Sequence, residues 1–361
     1  MKKFGFIFHP LDINSFANGF SEPDLKKKRA KLIEQVMPWF SPFRRSTVTG
    51  IKSLATGEEI QGEMILLTLL PNQILTFNND FVLERVVQAG KVAEKLNCNI
   101  VGLGAYVSQI GRKGVLLARN LKIPVTTGSA YTIAVAVEAI VKAAEKIGLA
   151  FSEAEVCIIG ATGAIGNVCS KMLARFKPRK LNIVARNKDR LQALSKEIYY
   201  QQKCTSVNVE LDIYKATKFA DIIVTATSTP SAIIDVRLLK PGTLICDISR
   251  PKNVSEQTAR LRQDILVIEG GIIKPPGNID FCFSFGLPPK LSYACMAEVM
   301  ILTFEEKYES YSIGGNVSLE KVNKIAQLGK KHGFKLAEFR SFDKVVTKTQ
   351  IERVKLKRNL I

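Results

Sequence analysis

Two short stretches hold residue types whose spacing allows chemistry. In LSYACMAEVMILTFE (residues 291–305) Cys295 stands three positions before Glu298, inside an apolar run that reads as helix. In GATGAIG (residues 160–166) Gly160, Gly163 and Gly166 recur at every third position, after the apolar run EVCIIG and ahead of GNVCSKMLARF.

The glycine string lies where a dinucleotide loop belongs, between a strand and a helix. Glycines there allow a tight turn and a close backbone approach to a pyrophosphate, whose charge faces helix N-terminal amides. Gly160, Thr162, Gly163, Ala164, Ile165 and Gly166 are therefore the candidate phosphate-binding residues. An NAD-type site carries an acid at the end of the next strand, for the ribose 2′-hydroxyl. This chain reads VARNKDR at that point, with Arg186 and Asn187 in the acid's place and Lys188 and Arg190 close by. A guanidinium pairs with a 2′-phosphate, so the expected cofactor is NADPH. Asp189 reads as a helix N-cap. Thr227 and Ser228, in ATSTP (residues 226–230), end a further strand, and their hydroxyls either line the nicotinamide pocket or make a turn.

A lone cysteine is most often a small buried hydrophobe. Cys157 and Cys246 fall inside strand patterns and Cys169 inside the helix after the glycine loop, so packing accounts for them. Cys295 follows Pro288 and Pro289, and Ser292 is spaced as an N-cap. That puts the thiol in a first helical turn, where unpaired amides and the dipole favour an anion. The dipole contributes about 0.3–1 kcal/mol, whereas bringing a thiol from a pKa of about 8.5 to neutrality takes roughly two units. Lys290 or the surroundings of a bound cofactor are the candidates for the remainder. Glu298 either orients a group or faces solvent. A nucleophilic thiol beside NADPH implies thioester chemistry: the thiolate displaces a carrier thiol, and hydride reduces the acyl-enzyme to an aldehyde. A ketone reductase does not need the thiol.

These residues must be held by ordinary soluble elements. The chain has 361 residues, 46% hydrophobic and 24% charged, enough for two or three domains. Residues 1–150 alternate apolar runs (FGFIF, MILLTLL, NIVGLGAY, IPVTTG) with helical patterns, which argues an α/β substrate-binding domain with a largely parallel sheet. Residues 151–275 read as a nucleotide-binding Rossmann domain, a doubly wound parallel sheet built on EVCIIG, KLNIVAR, SVNVEL, ADIIVTATS, GTLICDIS and DILVIEGG. Residues 276–361 read as a small C-terminal helical region carrying Cys295 and a basic tail.

MKKFGFIFHPLD breaks at His9 and Pro10, too early for a secretory signal, and YTIAVAVEAIVKAAEKIGLA carries four charges, so it is a buried helix and not a span. Seven scattered cysteines without a CxxC pair fit a reducing cytoplasm, and only His9 and His332 are available to a metal, so no zinc site is expected. The formal charge of +19 attracts nucleic acid, anionic lipid or an acidic protein, unless it is a solubility trait. It is concentrated in LKKKRAKLIEQVMPWFSPFRR (residues 25–45), which mixes cations with Trp39, Phe40 and Phe43, and in the tail from Lys335 to Ile361, which holds eight Lys or Arg against three acids. Either docks an acidic partner or a membrane surface, the tail reading more simply as a solvated face.

The chain resembles the cyanobacterial long-chain acyl-[acyl-carrier-protein] reductases over nearly its whole length. The stretches that carry the resemblance are FGFIFHP, NIVGLGAYVSQI, VTTGSAYTIAVAVEAI, CIIGATGAIGNVCSKMLARF, VARNKDRL, ADIIVTATSTP, IEGGIIKPP, SYACMAEVMILTFE and KHGF. The resemblance implies NADPH-dependent reduction of a fatty acyl thioester to a fatty aldehyde through an acyl-cysteine, with the nucleophile on Cys295 and the cofactor loop on Gly160, Gly163 and Gly166. It implies an acyl carrier protein, acidic as such carriers are, or acyl-CoA as partner; no nucleic acid is expected, and peripheral membrane contact rests on the basic stretches above. The basic segment at 25–45 and the extension after Gly333 depart from the pattern. A shikimate-dehydrogenase-like oxidoreductase without covalent catalysis is the alternative enzyme. A glutamyl-tRNA reductase carries its cysteine before the nucleotide domain, and a nucleotide- or RNA-binding protein without turnover rests on charge alone.

Overall fold

The computed structural model describes residues 1–13, 27–202, 206–229, 231–249, 251–315 and 317–358; the side chains of residues 27–29 and 202 lie outside that description. The elements used below begin with β1 (Lys3–Phe8), α1 (Lys27–Val36), β2 (Phe43–Lys52), β3 (Glu59–Leu66), α2 (Asn79–Lys95), β4 (Ile100–Leu103), β5 (Val125–Thr126) and α3 (Ser129–Lys146). They continue with β6 (Glu155–Ile159), α4 (Ala164–Ala174), β7 (Lys180–Val184), α5 (Lys188–Gln202), β8 (Val207–Glu210), β9 (Ile222–Thr225), β10 (Leu244–Asp247) and β11 (Leu266–Glu269). Last come β12 (Gly277–Asp280), α6 (Ala294–Phe304) and α7 (Lys348–Arg358).

The chain divides into two compact units. The first comprises Met1–Tyr131, Ile273–Asn316 and Lys324–Lys335; the second comprises Thr132–Ile272, Val317–Asn323 and Leu336–Ile361. Residues 276–361 are thus shared between the units and do not form one helical region, and the boundary near 150 moves to 131, inside α3. The physical reason is burial. An apolar helix such as α6 cannot stand alone, and it packs on β1, β3 and β4.

In the first unit the sheet order is β12-β2-β3-β1-β4-β5. The pairs β3/β1, β1/β4 and β4/β5 are parallel, and β2/β3 and β12/β2 are antiparallel. A parallel centre therefore carries an antiparallel edge. The run KFGFIF is covered on both faces, as a central parallel strand requires. Side chains alternate along it. Ile7 and Val101 face Val86 and Ala89 of α2, while Phe6 and Gly102 face Val299 of α6. Each fully buried Val, Ile or Leu contributes about 1.5–3 kcal/mol, and this clamp fixes where α6 starts.

In the second unit six strands pair in parallel in the order β11-β10-β9-β6-β7-β8. This is the doubly wound α/β arrangement, and the strand order reverses between β6 and β9, where ligand crevices form. The basic tail is a solvated face on one side only. α7 buries Ile351 and Val354, and Arg358 Nη1 lies 3.0 Å from Asp221 Oδ1. Among the described residues no helix is long and apolar enough to cross a membrane, and no group of His, Cys, Asp and Glu could hold a metal.

Candidate functional sites

The glycine loop runs from the end of β6 into α4. Gly160 has a φ of +84°, and a Cβ there would sit 2.5 Å from the Ala226 carbonyl oxygen at the end of β9. Only glycine meets both demands cheaply. A Cβ on Gly166 would approach Gly160 O to 2.2 Å, so the helix can lie this close only without a side chain. Gly163 is the N-cap, with no side-chain cap, and donates its own N–H to Gly160 O at 2.9 Å. Ala164, Ile165 and Gly166 form the first turn, whose amides have no intrahelical acceptor. Thr162, Ala164 and Ile165 are half-buried beside them. The cradle fits a dinucleotide pyrophosphate.

Arg186, at the end of β7, is exposed together with Lys188 and Arg190. Asn187, not Asp189, caps the next helix, because its Oδ1 accepts the Arg190 N–H at 2.9 Å; Asp189 lies within the first turn. Asn187 is therefore committed to the backbone and Arg186 is the group left facing outward.

Thr227 is held rather than presented. Its hydroxyl donates to Asn253 Oδ1 at 2.6 Å and accepts the Thr229 N–H at 3.2 Å, while its own N–H donates to Ser249 Oγ at 3.0 Å. The buried Asp247 carboxylate underlies this turn and accepts from the Thr225 hydroxyl (2.6 Å), Ser249 N (3.0 Å) and Asn253 N (2.7 Å). The network stiffens the rim of the crevice. Ser228 is exposed on that rim, and Pro230 lies outside the described residues. Asp247, Ser249 and Asn253 were missed in the sequence; the signal was an acid ending a strand pattern just before a polar loop.

The thiol site belongs to the first unit. Tyr293, not Ser292, is the N-cap of α6, without a side-chain cap, and Ser292 lies in a two-residue strand with its hydroxyl turned to Tyr293 O. Cys295 is the second residue of the helix. Every other residue of α6 from Ala294 to Phe304 is buried, and Cys295 alone is half-buried. Four other thiols, Cys98, Cys157, Cys169 and Cys246, are buried. Burial pushes Cys98 and Cys169 up to about 12 and Cys157 further up. Cys282 is exposed, yet desolvation and the neighbouring Asp280 carboxylate raise it too. Cys204 lies outside the described residues. Lys290 is exposed in a left-handed turn with φ +67°.

Glu298 does not face solvent. It is fully buried, accepts from the Thr126 hydroxyl and from Tyr131 N (2.7 Å), and is bonded further by the Ser312 hydroxyl and the Gly128 amide. Burial raises its pKa, and these four donors pull it partly back. The carboxylate thereby folds the turn after β5 onto the start of α6. At its tip Gly128, φ +73°, lies so near the thiol residue that a Cβ would fall 2.3 Å from Cys295 Cα.

A row of rings adjoins the helix start. Phe285 lies 6.1 Å from Tyr293, 4.6 Å from Phe281 and 5.6 Å from Phe283, and Phe283 stacks on Phe8 at 5.4 Å beneath the Arg45 guanidinium. The alternation in FCFSF (residues 281–285) was the sequence signal for it.

Residues 142–268 match the shikimate / quinate 5-dehydrogenase family. The chain is similar to the aminotransferase PigE of a Serratia species, at 26% identity over 98% of the chain, and spans only 42% of that protein's length. It is also similar to a long-chain acyl-[acyl-carrier-protein] reductase from Synechococcus elongatus, at 29% identity over 78% of the chain and 84% of the relative. Among solved structures, quinate dehydrogenase from Corynebacterium glutamicum in complex with NAD matches at 14% identity with a TM-score of 0.35, covering 73% of this chain and 87% of that one. The nucleotide-binding domain of glutamyl-tRNA reductase from Thermoplasma volcanium matches at 19% identity and a TM-score of 0.28, covering 38% and 84%. The second unit, with its parallel sheet and glycine cradle, has an NAD(P)-dependent oxidoreductase-like fold.

Proposed function

We propose that the chain is an NADPH-dependent reductase that converts a long-chain acyl thioester, carried by an acidic carrier protein or by coenzyme A, to the fatty aldehyde. The observation that carries this reading is the thiol of Cys295, the one residue of an otherwise buried helix that reaches the surface, in the helix's first turn. A simple hydroxyl–ketone dehydrogenase has no use for it. The match to the dehydrogenase family is confined to residues 142–268 and so speaks for cofactor handling rather than for the substrate. The acyl-carrier-protein reductase likeness supports the thioester.

The Cys295 thiolate attacks the thioester carbonyl, and the carrier's thiolate leaves with its electron pair and takes up a proton. A nicotinamide cofactor held by Gly160, Gly163 and Gly166 would supply the hydride for reduction of the acyl-cysteine, on which the aldehyde would depart and the Cys295 thiolate return. Gly128 and the buried Glu298 hold the backbone around the thiol, and the first-turn amides favour its anion. The half-buried rings of Phe283, Phe285 and Tyr293 give an acyl chain an apolar surface beside the helix start. Arg186, Lys188 and Arg190 favour a cofactor with a 2′-phosphate. The charge of +19 favours anionic acyl carriers of either kind.

The test is incubation with palmitoyl carrier protein and NADPH, read by mass spectrometry for aldehyde and for a palmitoyl adduct on Cys295. Cys295→Ala and Cys295→Ser should form no aldehyde while NADPH still binds, since a serine hydroxyl needs a dedicated base. Substantial turnover by either variant would remove the covalent mechanism.

A further inference from the structure

Apart from Arg45, which lies over Phe283 beside the thiol site, the segment from α1 into β2 has a construction that neither the cofactor site nor the thiol site uses. Its sequence from Leu25 to Arg45 holds seven Lys or Arg against the single acid Glu34. Large apolar side chains stand out from it: Trp39 is 73% exposed, Leu32 60% and Phe40 53%. Phe77 extends the exposed apolar surface, for Trp39 meets Phe81 at 5.5 Å and Phe81 meets Phe77 at 5.9 Å.

The backbone beneath is pinned. The Phe40 carbonyl accepts from the Thr68 hydroxyl at 2.6 Å and from the buried Arg85 guanidinium, and the Gln73 amide donates to Glu34 O at 2.7 Å. Glu34 itself lies 3.4 Å from the Asn72 amide, which occupies the one acid of the stretch. Rings left in water on a fixed backbone are not explained by folding, which would bury them. Asp80 and Glu84 flank Phe81, and among the described residues Lys31 and Arg44 are the exposed cations of the stretch.

We propose that this patch docks on a lipid bilayer with anionic headgroups, Trp39 and Phe40 entering the interface and the exposed Lys31 and Arg44 facing the phosphates. Tryptophan and phenylalanine beside Lys/Arg are the composition of interfacial anchors. Protruding side chains suit a fluid surface, whereas a protein partner would have to offer a matching pocket for each. Each basic residue near an anionic leaflet strengthens binding roughly fivefold, an effect confined to about one screening length. Such docking would bring the chain to where long acyl chains reside, but it does not depend on the acyl chemistry proposed above.

Trp39 is the only tryptophan in the chain, so its emission reports this patch alone. With vesicles of equal phosphatidylglycerol and phosphatidylcholine, the emission of the full-length protein should shift to the blue. Brominated acyl chains should quench it, and the protein should sediment with the vesicles. Pure phosphatidylcholine, or 1 M salt, should weaken sedimentation at least tenfold. Phe40→Ser and Phe77→Ser, checked for unchanged urea unfolding, should each lower vesicle affinity severalfold while reduction of a short soluble acyl thioester is retained. Absence of a shift and of sedimentation with anionic vesicles would overturn the proposal. So would a lipid-free shift on adding an acidic carrier protein, or one that tracks protein concentration, since the occupant would then be a carrier or a second copy. Loss of reductase activity in Cys295→Ala with vesicle binding intact separates this inference from the enzymatic one.

Discussion

Gly128 lies against Cys295: a side chain on the glycine would place its Cβ 2.3 Å from the cysteine's Cα, and its φ of +73° suits no other residue well. The carboxylate of Glu298, one helical turn beyond the cysteine, holds that turn from inside by accepting the Tyr131 N–H at 2.7 Å. The thiol is thus braced by backbone on one side and by its own helix on the other.

Gly128→Ala should therefore damage the site without touching the thiol. Left-handed backbone costs an alanine about 1–2 kcal/mol and an overpacked contact a further 1–3 kcal/mol. Urea unfolding should show a loss of about 2–5 kcal/mol. In the unmodified protein iodoacetamide should label Cys295 ahead of Cys282, whose pKa desolvation and the Asp280 carboxylate raise. In Gly128→Ala that order should weaken or reverse. Equal labelling of the two thiols in the unmodified protein would contradict the bracing argument.

Glu298 gives a pH signature. Burial raises its pKa above the ordinary carboxyl value of 4.5, against the pull of its donors. A raised folded pKa contributes stability that is complete below the unfolded value and is lost as pH rises through the folded one. The stability of the unmodified protein minus that of Glu298→Gln should thus shrink as pH climbs from 4.5, with a slope of at most about 1.4 kcal/mol per unit. Glu298→Ala removes the shared acceptor of Thr126 and Tyr131 and should cost about 2–5 kcal/mol near pH 4, a cost that shrinks with rising pH in the same way. Denaturant titrations between pH 4 and 8 read both effects; a difference that grows with pH would reverse the assignment.

The nucleotide fold was legible because it is local and periodic: strand, glycine loop and helix follow one another, and each β run ends on a glycine or polar residue. Cys295 was legible through its place at a helix start. Glu298 was not, since an acid in an apolar helix reads equally as a solvated edge until Thr126, Tyr131 and Ser312 arrive from distant parts of the chain. The N-caps were misplaced for a related reason. Ser292 has the right side chain for a cap, but strand pairing draws it out of the helix and leaves Tyr293 in that position. Charge misled at the tail, where the cations of α7 conceal the buried Ile351 and Val354.

Arg186 is the exposed cation at the end of β7, and Asn187 is occupied as a cap. Arg186→Ala should narrow a preference for NADPH over NADH by roughly ten- to a hundredfold, the value of a charge-assisted contact of about 1.5–3 kcal/mol. Binding of each nucleotide, followed by quenching of protein fluorescence or by calorimetry, measures it. Equal affinity for both nucleotides in the unmodified protein would contradict the assignment.

The tail helix makes a second pH-dependent contact, of opposite sign to that of Glu298. Asp221 is buried, which by itself raises its pKa. The Glu155 N–H, Lys240 and Arg358 together outweigh that and hold the carboxyl below its usual range. A depressed folded pKa gives stability that is present above the unfolded value of 3.8 and is lost as pH falls through the folded one. Arg358→Ala should cost about 1.5–3 kcal/mol at pH 7, because a charge-assisted bond to a buried carboxylate is removed while Lys240 remains. The cost should fade below pH 4 as Asp221 is protonated in both proteins. Thermal unfolding of the pair at pH 7 and pH 3 makes the comparison. An unchanged difference at the two pH values would mean that Arg358 stabilises through the packing of its alkyl stem against Gly242 and not through Asp221.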